Sequence, residues 1–207
     1  MQICYVIGAG EVKETFHPDE TDFVIAADGG LEAARRLGIT PHLIVGDFDS
    51  LGHIPVGENV RRLPVEKDET DVAAALRMGM AAGYLCFCIY GGTGGREDHT
   101  LANLQLLHRL AKEGGQGFLV GNGFIRTVIV NKGMQIAPQN SGTVSVFSLT
   151  NESRGVCIRG LKYTLEGETL YSEIPLGVSN SFIGERAEIS VAEGALLVMW
   201  EDGSGRA

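Results

Sequence analysis

Two aspartates separated by one residue, Asp47 and Asp49, follow the branched apolar run 43–45 after a single glycine. The run predicts a buried strand that breaks at Gly46. In an open α/β sheet, ligands bind just beyond the carboxyl ends of the strands. Two carboxylates there create a strong negative potential, which a hard cation such as Mg²⁺ neutralises. The segment predicts a magnesium site; the alternative is a surface turn in which Asp47 and Ser50 cap a helix.

Other acids stand at equivalent places along the chain. Asp28 follows the apolar run 23–27 and precedes Gly29 and Gly30, which allow a ligand to approach the backbone closely. A helix N-cap is the alternative for Asp28. Asp71 closes an acidic segment, 66–71, with more acids than helix capping needs. Its place in the first turn of the next helix puts it beside the strand-end acids if the sheet is parallel.

A glycine-rich loop, 91–95, follows a further apolar strand and leads into Arg96, Asp98 and His99. Such a loop can wrap phosphates through backbone N–H groups, and Arg96 adds a bidentate donor. We interpret His99 as a polar contact at the start of a helix rather than as a catalytic group. Acids on one rim of a sheet, a glycine loop and no Walker lysine motif favour metal-assisted transfer from a nucleoside triphosphate.

The elements that position these residues alternate between strand and helix up to residue 120, which predicts an α/β fold with a parallel, doubly wound, Rossmann-like sheet. The predicted strands are 3–7, 23–27, 43–45, 60–63, 85–90 and 118–120, and the predicted helices are 31–37, 72–82 and 101–111.

Beyond Gly123 the helical pattern disappears. Six short strands separated by Gly, Asn and Ser turns predict a second, antiparallel domain, a sandwich or flattened barrel. Taken alone, the polar segment 177–182 is interpreted there as a connecting turn. We therefore predict an α/β domain over 1–124 and a β-sandwich domain over 125–207.

Composition argues against several classes of binding partner, among them nucleic acid and membranes. The net charge of −9 argues against nucleic acid, because no basic surface is available to neutralise its phosphates. No apolar stretch approaches the ~20 residues that span a bilayer. The four cysteines lack metal-site spacing, and Cys86 and Cys88 alternate in an apolar run like small core residues. Residues 1–8 predict a strand without the flanks of a signal peptide, so we expect a cytoplasmic protein without membrane contact.

Several of these segments together resemble the thiamin pyrophosphokinase family. The resemblance spans about three-quarters of the chain, and the ordered set is more specific than any single motif. It runs through Asp28-Gly29-Gly30, Gly46-Asp47-Phe48-Asp49-Ser50, Lys67-Asp68-Glu69-Thr70-Asp71, Gly91–His99, Leu101-Ala102-Asn103, Gly160-Leu161-Lys162-Tyr163 and Gly177-Val178-Ser179-Asn180.

The resemblance implies transfer of the pyrophosphoryl group of ATP to the thiamin hydroxyl, giving thiamin diphosphate and AMP. It implies a homodimer with shared active sites, in which Mg²⁺ is held by Asp47, Asp49 and Asp71. Asp98 would face the thiamin hydroxyl and complete the catalytic set.

Substrate contacts follow from the same resemblance. Ser179 and Asn180 of one chain would contact thiamin bound to the other. We assign ATP binding to six residues of the α/β domain: Asp28, Gly29, Gly30, Thr70, Gly94 and Arg96. The role of Lys67 stays open, because family members vary there.

Two other classes of protein compete with this interpretation. A haloacid-dehalogenase-type phosphatase uses the first acid of an Asp-x-Asp after a strand as nucleophile, which Asp47 and Asp49 fit. That class also needs a later paired-acid motif, which this sequence lacks. A non-enzymatic thiamin or nucleotide sensor would be expected to have lost some acids of the metal site, and all are present here.

Overall fold

The computed structural model describes residues 2–49, 51–66 and 68–203. The chain divides into two compact units, which are described separately. The first comprises Met1–Leu106 and Gly114–Asn122, and the second comprises Leu107–Glu113 and Gly123–Ala207.

The first unit contains a six-stranded parallel sheet. Its strands are β1 Cys4–Ile7, β2 Phe23–Ala27, β3 Leu43–Gly46, β4 Val60–Arg62, β5 Cys86–Tyr90 and β6 Gln116–Gly121. They lie in the order β6-β5-β1-β2-β3-β4, and every neighbouring pair is parallel. The α/β class predicted from the alternation of strands and helices is confirmed. The order reverses between β1 and β5, and such a switch point is where open sheets of this class bind ligands.

In the described residues, three helices connect these strands: α1 Gly30–Arg36, α2 Asp71–Ala81 and α3 Glu97–Lys112. Alternate side chains of β1 meet different helices. Tyr5 and Ile7 pack with Ala33 and Ala34 of α1, whereas a Cβ added at Gly79 of α2 would lie 2.9 Å from the Cys4 sulfur. Because successive strand residues point to opposite faces, α1 and α2 cover opposite faces of the sheet.

The helix starts differ from the prediction. Helix α2 begins at Asp71, with Thr70 as its N-cap, and the Thr70 hydroxyl accepts a 3.2 Å hydrogen bond from the Ala73 N–H. Helix α3 begins at Glu97 rather than at residue 101. Its first turn is exposed and acidic, so the apolar periodicity that predicts a helix becomes visible only further along.

The second unit is antiparallel. Up to residue 203 its strands are β7 Phe124–Val130, β8 Gly133–Ile136, β9 Thr143–Ser148, β10 Glu152–Arg159, β11 Leu165–Tyr171, β12 Gly177–Ser181, β13 Ala187–Ser190 and β14 Ala195–Glu201. They lie in the orders β12-β9-β14-β7 and β11-β10-β13-β8. All the pairings within these two groups are antiparallel, as predicted.

The interpretation of 177–182 as a connecting turn is wrong, because Gly177–Ser181 forms strand β12, which pairs with β9. The pairing is irregular between Gly177 and Asn180, and Ser179 between them has φ 61°. A bulged edge strand built from glycine and polar residues lacks the apolar alternation from which strands are recognised.

The cysteines are all free thiols; Cys4 is buried and the other three are half-buried. Burial raises the pKa of Cys4 and of Cys88 to about 12, so both stay protonated and behave as small core residues. Within the described part of the chain, no helix combines the length and the apolar character that crossing a membrane requires.

Candidate active site

A cleft of about 620 Å³ opens in the first unit at the carboxyl ends of the parallel strands. Its walls are the loops after β1, β2, β3 and β5, together with the starts of α2 and α3. The loops after β1 and β5 flank the switch point in strand order, so the cleft lies where the topology favours a ligand.

Three carboxylates meet on one wall of this cleft. Asp28, Asp47 and Asp49 each offer an oxygen, and these oxygens all lie within 4.8 Å of one another. Ligand oxygens around Mg²⁺ lie about 2.0–2.1 Å from the ion, so opposite ligands are about 4 Å apart. The donor type and the spacing therefore fit a hard divalent cation with little movement.

The pairing of β2 with β3 explains why these acids converge. Ala27 pairs with Val45, and the Asp28 N–H donates a 2.8 Å hydrogen bond to the Val45 carbonyl. The loops that carry Asp28 and Asp47 consequently leave adjacent strand ends together. The N-cap alternative for Asp28 is wrong, since the N-cap of α1 is Gly29 and no side chain caps that helix.

The three-acid group differs in one member from the predicted metal set of Asp47, Asp49 and Asp71. Asp71 lines the same cleft from the first turn of α2, but among the described residues it lies outside the group. Asp28, which we assigned to the nucleotide, takes its place. Asp28 is also 7% exposed and has φ 49°, a conformation that is uncommon outside glycine and concentrates at functional sites.

Phe48, between the two acids of the Asp-Phe-Asp segment, holds this part of the site. Its side chain is 2% exposed and belongs to a core cluster with Ala26, Leu31 and Ile44. Its φ of 65° costs on the order of 1–3 kcal/mol for a non-glycine residue, and burying a Phe side chain returns about as much. The ring therefore fixes the unusual backbone that carries both carboxylates. Nothing in the sequence marks this role.

We predict that Phe48→Ala raises the Mg²⁺ concentration needed for half-maximal activity at least several-fold and lowers the free energy of unfolding by ~3–5 kcal/mol. The physical reason is that the buried ring no longer fixes the backbone between Asp47 and Asp49. Phe48→Leu is the matched control, because it keeps an apolar anchor in the same core cluster. Magnesium titrations and denaturant unfolding measure the two effects, and an unchanged Mg²⁺ requirement in Phe48→Ala would remove the anchoring role.

The glycine loop 91–95 is packed backbone to backbone against the loop after β1. The Gly10 N–H donates a 2.8 Å hydrogen bond to the Gly91 carbonyl. A Cβ at Gly10 would lie 2.6 Å from that oxygen, so only glycine fits there. Ala9 and Gly10 line the cleft together with the glycine loop, which gives the opening Gly-Ala-Gly of the chain a place in the site.

Arg96 lines the cleft and forms a bidentate ion pair with Asp98, with Nε to Oδ1 at 3.2 Å and Nη2 to Oδ2 at 2.6 Å. Asp98 is exposed and is not among the lining residues. The hydrogen bond from Arg96 lowers the pKa of Asp98 and keeps this carboxylate ionised. A carboxylate with a lowered pKa is a weaker proton acceptor, which disfavours Asp98 as a general base in this arrangement.

His99 also lines the cleft, and its backbone N–H donates a 3.0 Å hydrogen bond to Asp98 Oδ1. This hydrogen bond involves the backbone and not the imidazole, so the interpretation of the His99 side chain as a polar helix-start contact stays a prediction. The place of His99 in the lining is an addition to that expectation.

The residues assigned to ATP separate into two groups. Asp28, Thr70, Gly94 and Arg96 line the cleft, whereas Gly29 and Gly30 are not among its lining residues. A Cβ at Gly30 would lie 1.9 Å from the Ile7 carbonyl oxygen, so this glycine serves close packing of α1 against β1. Lys67, whose role we left open, lies outside the described residues.

The residues assigned to thiamin in the second unit lie on β12. Asn180 is 6% exposed, and its side chain bridges to a neighbouring segment. Its Oδ1 accepts hydrogen bonds from the Tyr163 and Ser181 N–H groups, both 2.9 Å, and its Nδ2 donates to the Tyr163 carbonyl at 2.6 Å. Ser179 is exposed, and its N–H donates to the Ser145 hydroxyl at 3.1 Å.

Two buried polar residues of the cleft were not assigned a role from the sequence. Thr93 and Asn103 both line the cleft and are almost fully buried. Asn103 appeared only within the Leu101-Ala102-Asn103 segment of the family resemblance. The sequence did contain a signal for Asn103: an amide on the apolar side of a predicted amphipathic helix is buried, and a buried amide needs hydrogen-bond partners.

Comparisons with known proteins match both units to domains of the same family. The thiamin pyrophosphokinase catalytic-domain model matches residues 17–119, and the vitamin B1-binding-domain model of the same family matches residues 128–196. The thiamine pyrophosphokinase of Bacillus subtilis is 28% identical over 200 residues, which cover 89% of this chain and 90% of that protein.

Solved structures give the same result. The crystal structure of thiamine pyrophosphokinase from Bacillus subtilis superposes with a TM-score of 0.84 at 25% identity and covers 98% of this chain and 100% of that chain. A thiamin pyrophosphokinase family protein from Enterococcus faecalis gives a TM-score of 0.82 at 25% identity, covering 99% and 100%. With both domain models matched in order along one chain, the chain belongs to the thiamin pyrophosphokinase family and is a transferase.

Proposed function

We propose that this chain transfers the pyrophosphoryl group of ATP to the hydroxyl of thiamin in a Mg²⁺-dependent reaction. The alcohol oxygen attacks the β-phosphorus, and a new O–P bond forms. The bond between the β-phosphorus and the oxygen that bridges it to the α-phosphorus breaks. The electron pair of that bond leaves with AMP, and the alcohol proton passes to a base and then to solvent.

The observation that carries this proposal is the three-acid group beside the glycine loop in one cleft. The close approach of Asp28, Asp47 and Asp49 provides oxygen ligands of the kind Mg²⁺ prefers. Bound there, Mg²⁺ would neutralise negative charge on the triphosphate. Asp71, the third ligand implied by the family resemblance, stays a prediction in that role.

Arg96 has a defined task in this reaction. As a planar, permanently charged donor it can hold two phosphate oxygens at once. Its partner Asp98 is an exposed side chain, and exposed ion pairs contribute only ~0–1 kcal/mol, so a triphosphate can take Arg96 from it. Asp71 lines the cleft and Asp98 does not, so we favour Asp71 as the group that orients the hydroxyl or accepts its proton.

The products distinguish this reaction from its rivals. After incubation with ATP, Mg²⁺ and thiamin, we expect AMP and thiamin diphosphate in equal amounts. A simple kinase would leave ADP, and a phosphatase of the Asp-x-Asp class would release inorganic phosphate without needing thiamin. Chromatography of nucleotides and thiamin esters after a few turnovers measures all of these products. ADP as the nucleotide product would refute the proposal.

We further propose that the active form is a homodimer, with thiamin held between Ser179 and Asn180 of one chain and the cleft of the other. The exposed apolar side chains of the second unit support this. Six of the eleven large hydrophobic residues that are exposed in the described part of the chain fall within 163–183: Tyr163, Tyr171, Ile174, Leu176, Val178 and Ile183. Concentrations of exposed apolar residues often mark interaction surfaces.

We also propose that the strands of the second unit pack as a β-sandwich and that the protein is located in the cytoplasm.

Mixed dimers test the shared site. An Asp47→Asn subunit lacks a metal ligand, and a Ser179→Arg subunit places a cation where the thiamin cation is expected. Ser179 is exposed, so its replacement leaves the core intact. Because a heterodimer then has one site with both lesions and one with neither, we expect the mixture to recover activity that neither homodimer shows. Heterodimers that form, by native mass spectrometry, but remain inactive would place each site within one chain.

A further inference from the structure

Asn103 is a buried side chain of α3 whose amide reaches the backbone of the glycine loop. It is 4% exposed, lines the cleft, and donates a 2.8 Å hydrogen bond from Nδ2 to the Gly92 carbonyl. A carbonyl oxygen can only accept, so the atom facing it has to be the amide nitrogen. The hydrogen bond links two segments eleven residues apart, the glycine loop and the second turn of α3.

The loop is held on both sides of this hydrogen bond and becomes open only at Gly95; a Cβ at Gly94 would lie 2.9 Å from the Asn122 amide nitrogen. On its N-terminal side, Gly91 is tied to the loop after β1 by the hydrogen bond from Gly10. On its C-terminal side, Gly94 has φ 72° and Gly95 has φ 157°, and a Cβ at Gly95 would meet nothing within 4 Å. Glycines in open surroundings have wide conformational freedom. The Asn103 amide therefore fixes the loop between Gly91, which is held by backbone hydrogen bonding, and Gly95, whose surroundings are open.

We propose that Asn103 is a positioning residue for nucleotide binding. By holding the Gly92 carbonyl, it keeps the backbone of 92–95 in the shape that receives the β- and γ-phosphates of the triphosphate. The inference rests on the proposed function, since it assigns the loop to the phosphates of ATP. It predicts a selective effect: binding that depends on those two phosphates weakens, and binding of a nucleotide without them does not.

The replacement Asn103→Asp tests the inference. The carboxylate has nearly the same size as the amide, but it offers an acceptor where the Gly92 carbonyl needs a donor. The hydrogen bond is therefore lost, and the two oxygens repel each other. We expect the KM for ATP and the dissociation constant of α,β-methylene-ATP to rise at least ~10-fold. The dissociation constant of AMP and the KM for thiamin should change less than ~2-fold.

Two further variants separate this effect from charge and from folding. Gln105→Glu makes the same amide-to-acid change at an exposed position of the same helix, so it reports the effect of the added negative charge alone. Asn103→Ser is uncharged and too short to span to Gly92, and it should show the same selective loss. If Asn103→Asp is insoluble, Asn103→Ser carries the test.

The result that would overturn the role of Asn103 differs from the result that would overturn the proposed function. A merely structural role for Asn103 would lower the unfolding temperature of the variants and leave the ratio of the AMP and α,β-methylene-ATP affinities unchanged. That unchanged ratio would overturn the inference. If the wild-type chain formed no AMP, the proposed function would fail, while the binding ratio would still decide the role of Asn103 in holding a triphosphate.

Discussion

Replacing Asp47 by Asn should lower the rate of AMP formation by about 10²–10³-fold while the chain stays folded. The change keeps the shape of the side chain and removes one of the three negative charges in the group of Asp28, Asp47 and Asp49. Charge on the triphosphate then goes uncompensated as the reaction proceeds, and losses of single electrostatic contacts in enzyme sites have effects of this size. Asp47 is only half-buried, so the variant leaves no deeply buried amide without partners.

The rate is measured at saturating ATP and thiamin over a range of Mg²⁺ concentrations. Part of the loss should be recovered at high Mg²⁺, because the weakened site still has two acids. Asp68→Asn is the control, since it makes the same change at an exposed acid that does not line the cleft. Turnover near the wild-type value in Asp47→Asn, with an unchanged Mg²⁺ requirement, would contradict the placement of the metal.

The second large effect concerns stability rather than chemistry. Gly30→Ala should lower the free energy of unfolding by about 4 kcal/mol or more, a size reserved for severe structural conflicts. The added methyl group would lie 1.9 Å from the Ile7 carbonyl oxygen and 2.6 Å from its carbon. Both atoms belong to the backbone of a central strand, so the conflict is relieved only by moving α1 away from β1.

For a chain of this size, such a loss lowers the unfolding temperature by about 8–16 °C. Gly38→Ala is the matched control. Gly38 has φ 69°, and a Cβ there meets nothing within 4 Å. Gly38→Ala should therefore lower the free energy of unfolding by only the ~1–2 kcal/mol that a left-handed backbone conformation costs alanine. If both variants unfolded within a few degrees of each other in thermal scans, close packing at Gly30 would not be the reason for its glycine.

The sequence was most informative where an apolar run ends in a charged or glycine residue. The strands of the first unit are short and buried, so their composition alone marks them, and the rule for strand ends then places Asp28, Asp47 and Asp49 on one rim. Which of the acids converge depends on strand register, and register is a property of paired strands that no single segment carries. The membership of Asp28 in the three-acid group therefore follows from the pairing of β2 with β3.

Features fixed by local backbone conformation were the least predictable. Phe48 combines an aromatic side chain with a positive φ, and composition gives no sign of that combination. Strand β12 is held by backbone pairing with β9 and by the Asn180 amide rather than by apolar alternation. In both places tertiary contacts decide the conformation, against the preference of the residues themselves.

The group of Asp28, Asp47 and Asp49 comes from a single β2–α1–β3 crossover, and this has a consequence for how the sequence can diverge. An insertion or deletion within 30–42 would change the length of the connection between two strands whose register sets the spacing of the acids. The segment 51–59, which leads into β4, has no such constraint, because it lies beyond Asp49 and contains mostly exposed residues. Substitutions on the exposed side of α1 should accumulate freely during evolution, whereas changes in its length should be eliminated and length variation should collect between Leu51 and Asn59.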